Sequence, residues 1–330
     1  MNKMNKTLII ILTSLLFFSC KKNEGEKFLP QSVGAINTLA VVIDNELWSG
    51  KIGDEIRNHF AAPVDGLPWD EPLFSIHQIP PAIFDGFARN SRNIVVVQKD
   101  TVETTGIAQD PYAKPQKVAF FKGKTEDEII SLIQEGAEKA IRTFKAHELR
   151  ENQKRIKKSL NKEVALKEKF GISLNMPSVY KVAKEEDNFV WIRRELQKGH
   201  MNILTYQLPL NKIPQDSTRV EAIIKMRDSI GKVHIPGREE GMYMITEKAY
   251  APYVFKAQIA GRSSIETKGM WEVKNFFMAG PFINYVIEDV PNNRLLVIEG
   301  FTFAPSTNKR DYMFELESIL KTLKFESDNI

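Results

Sequence analysis

The apolar positions of this chain follow two rhythms, and the change between them falls near residue 171. Before it, short unbroken apolar runs alternate with helical stripes. NTLAVVID (37–44) reads as a buried strand, LFSIHQI (73–79) and RNIVVVQK (92–99) as two more, the latter apolar enough to be central, and QKVAFFKG (116–123) as a fourth. Between the first two, LWSGKIGDEIRNHF sets Trp48, Ile52, Ile56, His59 and Phe60 on one helical stripe, and Pro63, Pro68, Pro72, Pro80 and Pro81 punctuate the loops. Thr125 and Glu128 have the spacing of a capping box, followed by a stripe of Ile129, Ile133, Ala137, Ala140, Ile141 and Phe144. The helical pattern runs on through HELRENQKRIKKSLNKEVALKEKFG, where the stripe thins to Ile156, Leu160, Val164 and Leu166 and predicts a helical connector over 151–170.

From Gly171 the period becomes that of antiparallel strands. SVYKVAKEEDNFVWIRREL predicts two strands about a polar turn at 185–188, HMNILTYQLPL a third, and FINYVIEDVPNNRLLVIEGFTF a hairpin around Pro291-Asn292-Asn293. Helices are expected from Asp216 to Ile230, with Val220, Ile223, Ile224 and Arg227 at helical spacing, and from Lys309 to Lys324, burying Tyr312, Leu316, Ile319, Leu320 and Leu323. The predicted fold class is α/β and α+β: an N-terminal α/β sandwich over 28–150, then a C-terminal antiparallel-sheet α+β domain over 171–326.

The first residues carry a different pattern. Lys3 and Lys6 precede an apolar run from Leu8 to Phe18, too short to span a bilayer, which suits a signal peptide over 1–19. The chain's one cysteine, Cys20, follows small Ser19, and Phe17-Phe18-Ser19-Cys20 resembles a bacterial lipobox. That resemblance implies that Cys20 carries acyl chains after cleavage, anchoring the protein to a membrane, with KKNEGEK (21–27) as a polar tether. A single cysteine forms no internal disulfide, so Cys20 reads as reserved for lipid. Loss of Lys3 and Lys6 from the 46 basic residues leaves 44 against 42 acidic ones, a balance that suggests no nucleic-acid partner.

Two resemblances widen the picture. The stretches FGISLNMPSVYKV and IEGFTFAPSTNKRDYMFELESILKTLKF are similar in outline to the Mog1/PsbP-like fold, which implies architecture and no activity. LWSGKIGDEIR, EPLF, YAKPQKV, RDSIGKVHIPG, MYMITE, MAGPF and EGFTFAP resemble a family of predicted Bacteroidetes lipoproteins classed as a domain of unknown function, which brings no catalytic residue with it.

Candidate chemistry is sparse. Gly123-Lys124-Thr125 lies where a P-loop would place it, but the earlier glycine of that loop is replaced by Val118, and Thr125 is better read as a helix cap. His59, His77, His147, His200 and His234 are scattered without metal-ligand spacing, and no G-x-S-x-G elbow is present; no metal or cofactor is expected. Asp100-Thr101-Val102, Asp216-Ser217-Thr218 and Asp228-Ser229-Ile230 resemble acceptors for O-glycosylation. The remaining candidate combines HIPGREEGMYMITE and GRSSIETKGMWEV, in which His234, Arg238, Glu266, Lys268 and Trp271 are expected to hold an anionic or sugar-like ligand. The expected role is a lipid-anchored envelope protein facing the periplasm from the outer membrane, a non-catalytic binding or assembly module with an envelope protein or glycan as partner. The alternative is an enzyme of envelope polysaccharide, peptidoglycan or lipid, using dispersed carboxylates and Arg238.

Overall fold

In the computed structural model, which describes residues 28–329, the first half is built on five strands. β1 (Thr38–Val42), β2 (Ser75–Ile79), β3 (Asn93–Lys99), β4 (Thr104–Gln109) and β5 (Lys117–Gly123) lie in the order β2-β1-β3-β5-β4. All neighbours are parallel except β4, which closes one edge antiparallel to β5. The apolar run of β3 is central, as its composition requires, because both of its faces are covered. On one face Val95, Val97, Ala119 and Phe121 pack under helices α1 (Asn45–Ser49), α2 (Lys51–Phe60) and α3 (Glu126–Ile156). On the other, Ile94, Val96 and Val118 are covered by Phe84, Tyr112 and Ile79.

Two helical expectations are corrected. The stripe from Trp48 to Phe60 is split at Gly50, whose extended backbone separates α1 from α2. The two helices meet closely there: a Cβ on Gly53 would fall 1.8 Å from the Trp48 carbonyl oxygen. The long helix begins as expected, with Thr125 Oγ1 accepting from the Glu128 amide and the Glu128 carboxylate from the Lys124 amide. It stops at Ile156, and 157–164 is not helical. Leu160 and Val164 are exposed, and the backbone there pairs with 176–178 through Asn161 and Ser178. A stripe that thins to isolated apolar residues lacks the tertiary burial that sustains most helices.

The second half is an antiparallel half-barrel. After α4 (Ala165–Phe170) and β6 (Ile172–Ser173) come β7 (Lys181–Glu186), β8 (Phe189–Leu196) and β9 (Gly199–Pro209). Then follow α5 (Arg219–His234), β10 (Met244–Thr246), β11 (Tyr253–Ile259), β12 (Arg262–Val273), β13 (Phe276–Asp289), β14 (Arg294–Phe303), α6 (Arg310–Leu320) and β15 (Lys324–Phe325). The sheet runs β10-β12-β13-β14-β9-β8-β7, with β11 also on β12, and β15 pairs with β6.

Strand alternation sorts its residues onto two faces. Leu296 and Ile298, with Ile283, Tyr285 and Ile203, pack against Leu316, Ile319 and Leu320 of α6. Leu295, Val297 and Phe301, with Phe282 and Tyr206, pack against Ile223 and Met226 of α5. Gly300 sits under α6, where a Cβ would come within 2.9 Å of Leu316 Cβ, so the absence of a side chain sets how closely that helix lies.

Each half also buries one ion pair. Glu148 of α3 accepts from Arg92 (2.6 and 3.0 Å), the Asn93 amide group (2.6 Å) and the Asn37 backbone amide (2.7 Å). Arg227 of α5 makes a two-pronged contact with Glu299 of β14 (2.7 and 2.8 Å) over the ring of Phe282. Replacing Glu148 by Ala strands the Arg92 guanidinium without an anion and is expected to cost about 3–5 kcal/mol of unfolding free energy in urea. Glu138→Ala, on the exposed side of the same helix, is expected to shift it by less than about 0.5 kcal/mol. Equal effects of the two would refute the structural role given to the buried pair.

Candidate functional site

The two halves meet along α6. Glu71, buried in the loop before β2, accepts from the backbone amides of Lys309 (2.7 Å) and Arg310 (2.8 Å), the free donors at the start of that helix. Arg310 reaches back to the Pro72 carbonyl (2.9 Å), and farther along α6 the Ser318 hydroxyl and carbonyl accept from Asn152 and Gln153 of α3. Asn37 joins the same seam, donating to Asp311 and accepting from the Lys145 ammonium (2.9 Å).

This docking leaves a cavity of about 300 Å³ between the halves. One face of α6 supplies Arg310, Met313, Phe314 and Glu317, at helical spacing, and Lys321 follows just past its end; α3 supplies Lys145, β12 supplies Glu266 and Lys268, and the loop Val64–Leu67 closes the side. Gly66 lets that loop lie on the strand: with φ near +80°, a side chain there would meet Lys268 and Gly269 at about 3 Å.

Four cations and three carboxylates, counting Asp65, line this space. Glu266 accepts from the Tyr285 hydroxyl (2.7 Å), pairs with Lys268 (2.9 Å) and lies 4.0 Å from Lys321, which also pairs with Glu317. Burial would raise the Glu317 carboxyl, but Lys268, Lys321 and Lys145 together hold it down at about 2. Burial works against charge on Lys268, and Glu317 and Glu266 overcome it, so that ammonium titrates above the ordinary lysine value. Burial of Lys145 prevails over its attraction to Glu317, and Arg310 adds to the depression, so Lys145 falls to about 8. Its close partners are the Asn37 amide oxygen and the rings of Phe314 (4.4 Å) and Phe74 (5.3 Å), none of them an anion.

Of the residues singled out from sequence, Glu266 and Lys268 come together in this cavity. Trp271, on the same strand at odd spacing from them, points to the opposite face, where it is 1% exposed and packs against Phe301 and Phe303. His234 ends α5, stacked on Phe189 with Nδ1 2.7 Å from the Glu186 carboxylate. Arg238 is exposed over Phe276. The five therefore do not form one site. Thr125 caps α3, and among the described residues no group of three or more His, Cys, Asp or Glu is placed to hold a metal ion. Cys20, with the signal and tether segments, lies outside the described residues.

Comparison with known proteins agrees with the two-part build. Residues 159–322 match a family model described as a domain of unknown function (DUF4837), and residues 32–157 match a second, also described as a domain of unknown function (DUF8532). No curated protein is matched by the sequence. One solved structure with some likeness is described as LpqN, involved in cell envelope biogenesis of Mycobacterium tuberculosis. It is 11% identical, with 46% of this chain and 83% of that one covered and a TM-score of 0.28, too loose a likeness to transfer anything.

The charges of the cavity are coupled, and that coupling is measurable. Between about 8 and the ordinary 10.5 the unfolded chain holds more protons on Lys145 than the folded one, so this group's contribution to stability rises with pH across that window. Glu317→Gln removes the attraction that props Lys145 up, and its ε-methylene NMR titration is expected to move below 8. An unchanged or higher midpoint would show that the two groups do not share the cavity.

Proposed function

We propose that this protein is a lipid-anchored component of the cell envelope that acts as a non-catalytic binding module, receiving an anionic group in the cavity between its halves. The observation that carries the reading is Lys145: a half-buried cation at the cavity wall, near Arg310, whose close contacts are an amide oxygen and two rings while Glu317 attracts it only from farther off. An entering anion would restore what burial removes, with Lys268 and Lys321 at hand as further donors. Glu266 and Glu317 do not offer the acid and base that carboxylate catalysis needs, because Glu317 stays ionised far below neutral pH and Glu266 is engaged by Tyr285 and Lys268.

The anchor rests on Cys20 and the apolar run before it. Among the described residues no helix is long and apolar enough to cross a membrane, which leaves the lipid as the attachment in this reading. A periplasm-facing position on the outer membrane follows as an expectation from the tether, which has no acidic cluster directly after the cysteine.

Inorganic phosphate serves as the probe. Calorimetry is expected to show saturable binding, accompanied by a rise of the Lys145 midpoint. Lys268→Gln is expected to weaken binding about tenfold or more, the scale of one charge-assisted hydrogen bond. Absence of saturable binding, with Lys145 unmoved by phosphate, would remove the anion-site reading.

A further inference from the structure

Next to the charged cavity, across the Val64–Leu67 loop, lies an open groove of about 550 Å³. Three aromatic side chains stand at it with much of their surface in solvent: Trp69 (52% exposed), Tyr250 (76%) and Tyr253 (49%). Large apolar rings left uncovered together mark an interaction surface more often than rings scattered singly. Three carboxylates share the lining, Asp65, Asp70 and Glu247. Glu247 is the informative one: Oε1 accepts from the Ala249 amide at 2.7 Å, while Oε2 is closed to solvent and has no hydrogen-bond partner. The half-buried Glu247 thus has one oxygen without a donor from the protein.

We infer that this groove binds a saccharide, and that the anionic substituent of the same glycan enters the adjoining cavity. The inference rests on the anion-site reading above and specifies its ligand. Sugar rings present C–H faces that lie on aromatic side chains, and hydroxyls that donate to carboxylates, which accept only. The groove offers both, and Trp69, already covered on one side by the Lys309 ammonium at 3.8 Å, keeps half its surface for such stacking. A cationic ligand would also suit rings and carboxylates, but it would have to lie beside Lys268, Lys145 and Lys321 across the loop, where like charge repels it. A fatty chain is disfavoured by the three carboxylates. The two spaces share the wall from Val64 to Leu67 and lie on either side of it beside Lys268 and Gly269 of β12, so an extended ligand in the groove has the charged cavity directly across one loop.

Four probes on matched frames test this with the mature chain: inorganic phosphate, cellobiose, cellobiose 1-phosphate and cellobiouronic acid, with trilysine as the cationic competitor. Calorimetry and tryptophan fluorescence read affinity. Expected is at least tenfold tighter binding of one anionic disaccharide than of either phosphate or cellobiose alone; whichever of the phosphate and uronate forms binds tighter identifies the substituent. Trp69→Ala and Tyr250→Ala are expected to erase that gain and leave phosphate binding unchanged, while Lys268→Gln weakens phosphate and the anionic disaccharide alike. Tyr250 is largely exposed, so its variant stays informative even if Trp69→Ala disturbs the loop. Equal affinity for phosphate and the anionic disaccharides, unaffected by either aromatic variant, would overturn the inference and leave the anion site standing. Binding of trilysine in place of the sugars would overturn it as well. Failure of phosphate and both anionic disaccharides to bind would overturn both readings.

Discussion

A carboxylate from one half holds the start of a helix from the other. Glu71 accepts the two free amides that open α6, and the rest of the seam follows from where that helix begins. A side-chain cap contributes about 1 kcal/mol, and a negative charge at a helix start adds up to about 1 kcal/mol more, so the contact is modest in energy. Its importance is geometric. With its first turn pinned to the loop before β2, α6 turns its apolar face to β13 and β14 and a second face, bearing Arg310, Glu317 and Lys321, towards α3. Gly300 fixes the approach on the sheet side and Ser318 the approach to α3.

Charge in the resulting cavity is arranged, not merely present. A fully paired set of lysines and glutamates would be a structural network with nothing left to offer. Here Glu266 and Glu317 make their close contacts with Lys268, Lys321 and Tyr285, whereas Lys145 has an amide and aromatic faces at close range and feels Glu317 only from farther off. Cation–π contact offsets part of the loss of water but lowers no net charge. The imbalance sits on one group, at the junction of both halves, and the direction of its titration records it.

Much of the fold was legible because burial was continuous along its elements. β1, β3, β5, α3 and the hairpin of β13 and β14 carry unbroken apolar patterns, and the structure places them as expected. Illegible parts are those whose form depends on a distant contact. β4 is a polar edge strand defined by pairing with β5, and β10 and β11 owe their form to β12. The end of α3 was missed because charged helix formers continue past Ile156, while the backbone finds partners at 176–178. Two members of the cavity, Glu266 and Lys268, were visible as alternating charges on a strand. Strand parity alone would have separated Trp271 from them. The remaining signal was the second stripe of α6, Arg310, Glu317 and Lys321, charged residues at helical spacing beside an apolar face. Nothing local to Lys145 distinguishes it from the other lysines of a charged helix, since its burial is made by a helix that begins 165 residues later.

Because the cavity wall comes from both halves, occupancy and docking are thermodynamically one equilibrium. A ligand that touched Lys145 on α3, Lys268 on β12 and Lys321 beyond α6 would bind both halves at once, and by linkage would stabilise their docking by whatever affinity depended on it. The Glu71 cap and the Asn37, Asn152 and Gln153 contacts preform the arrangement, so little ordering is left for the ligand to supply. The Val64–Leu67 loop is the part that both spaces share, and it rests on β12 through a glycine. Any residue there with a side chain would press on Lys268 and Gly269 and strain a backbone with φ near +80°. Gly66 thus does for the shape of the site what Glu71 does for its position.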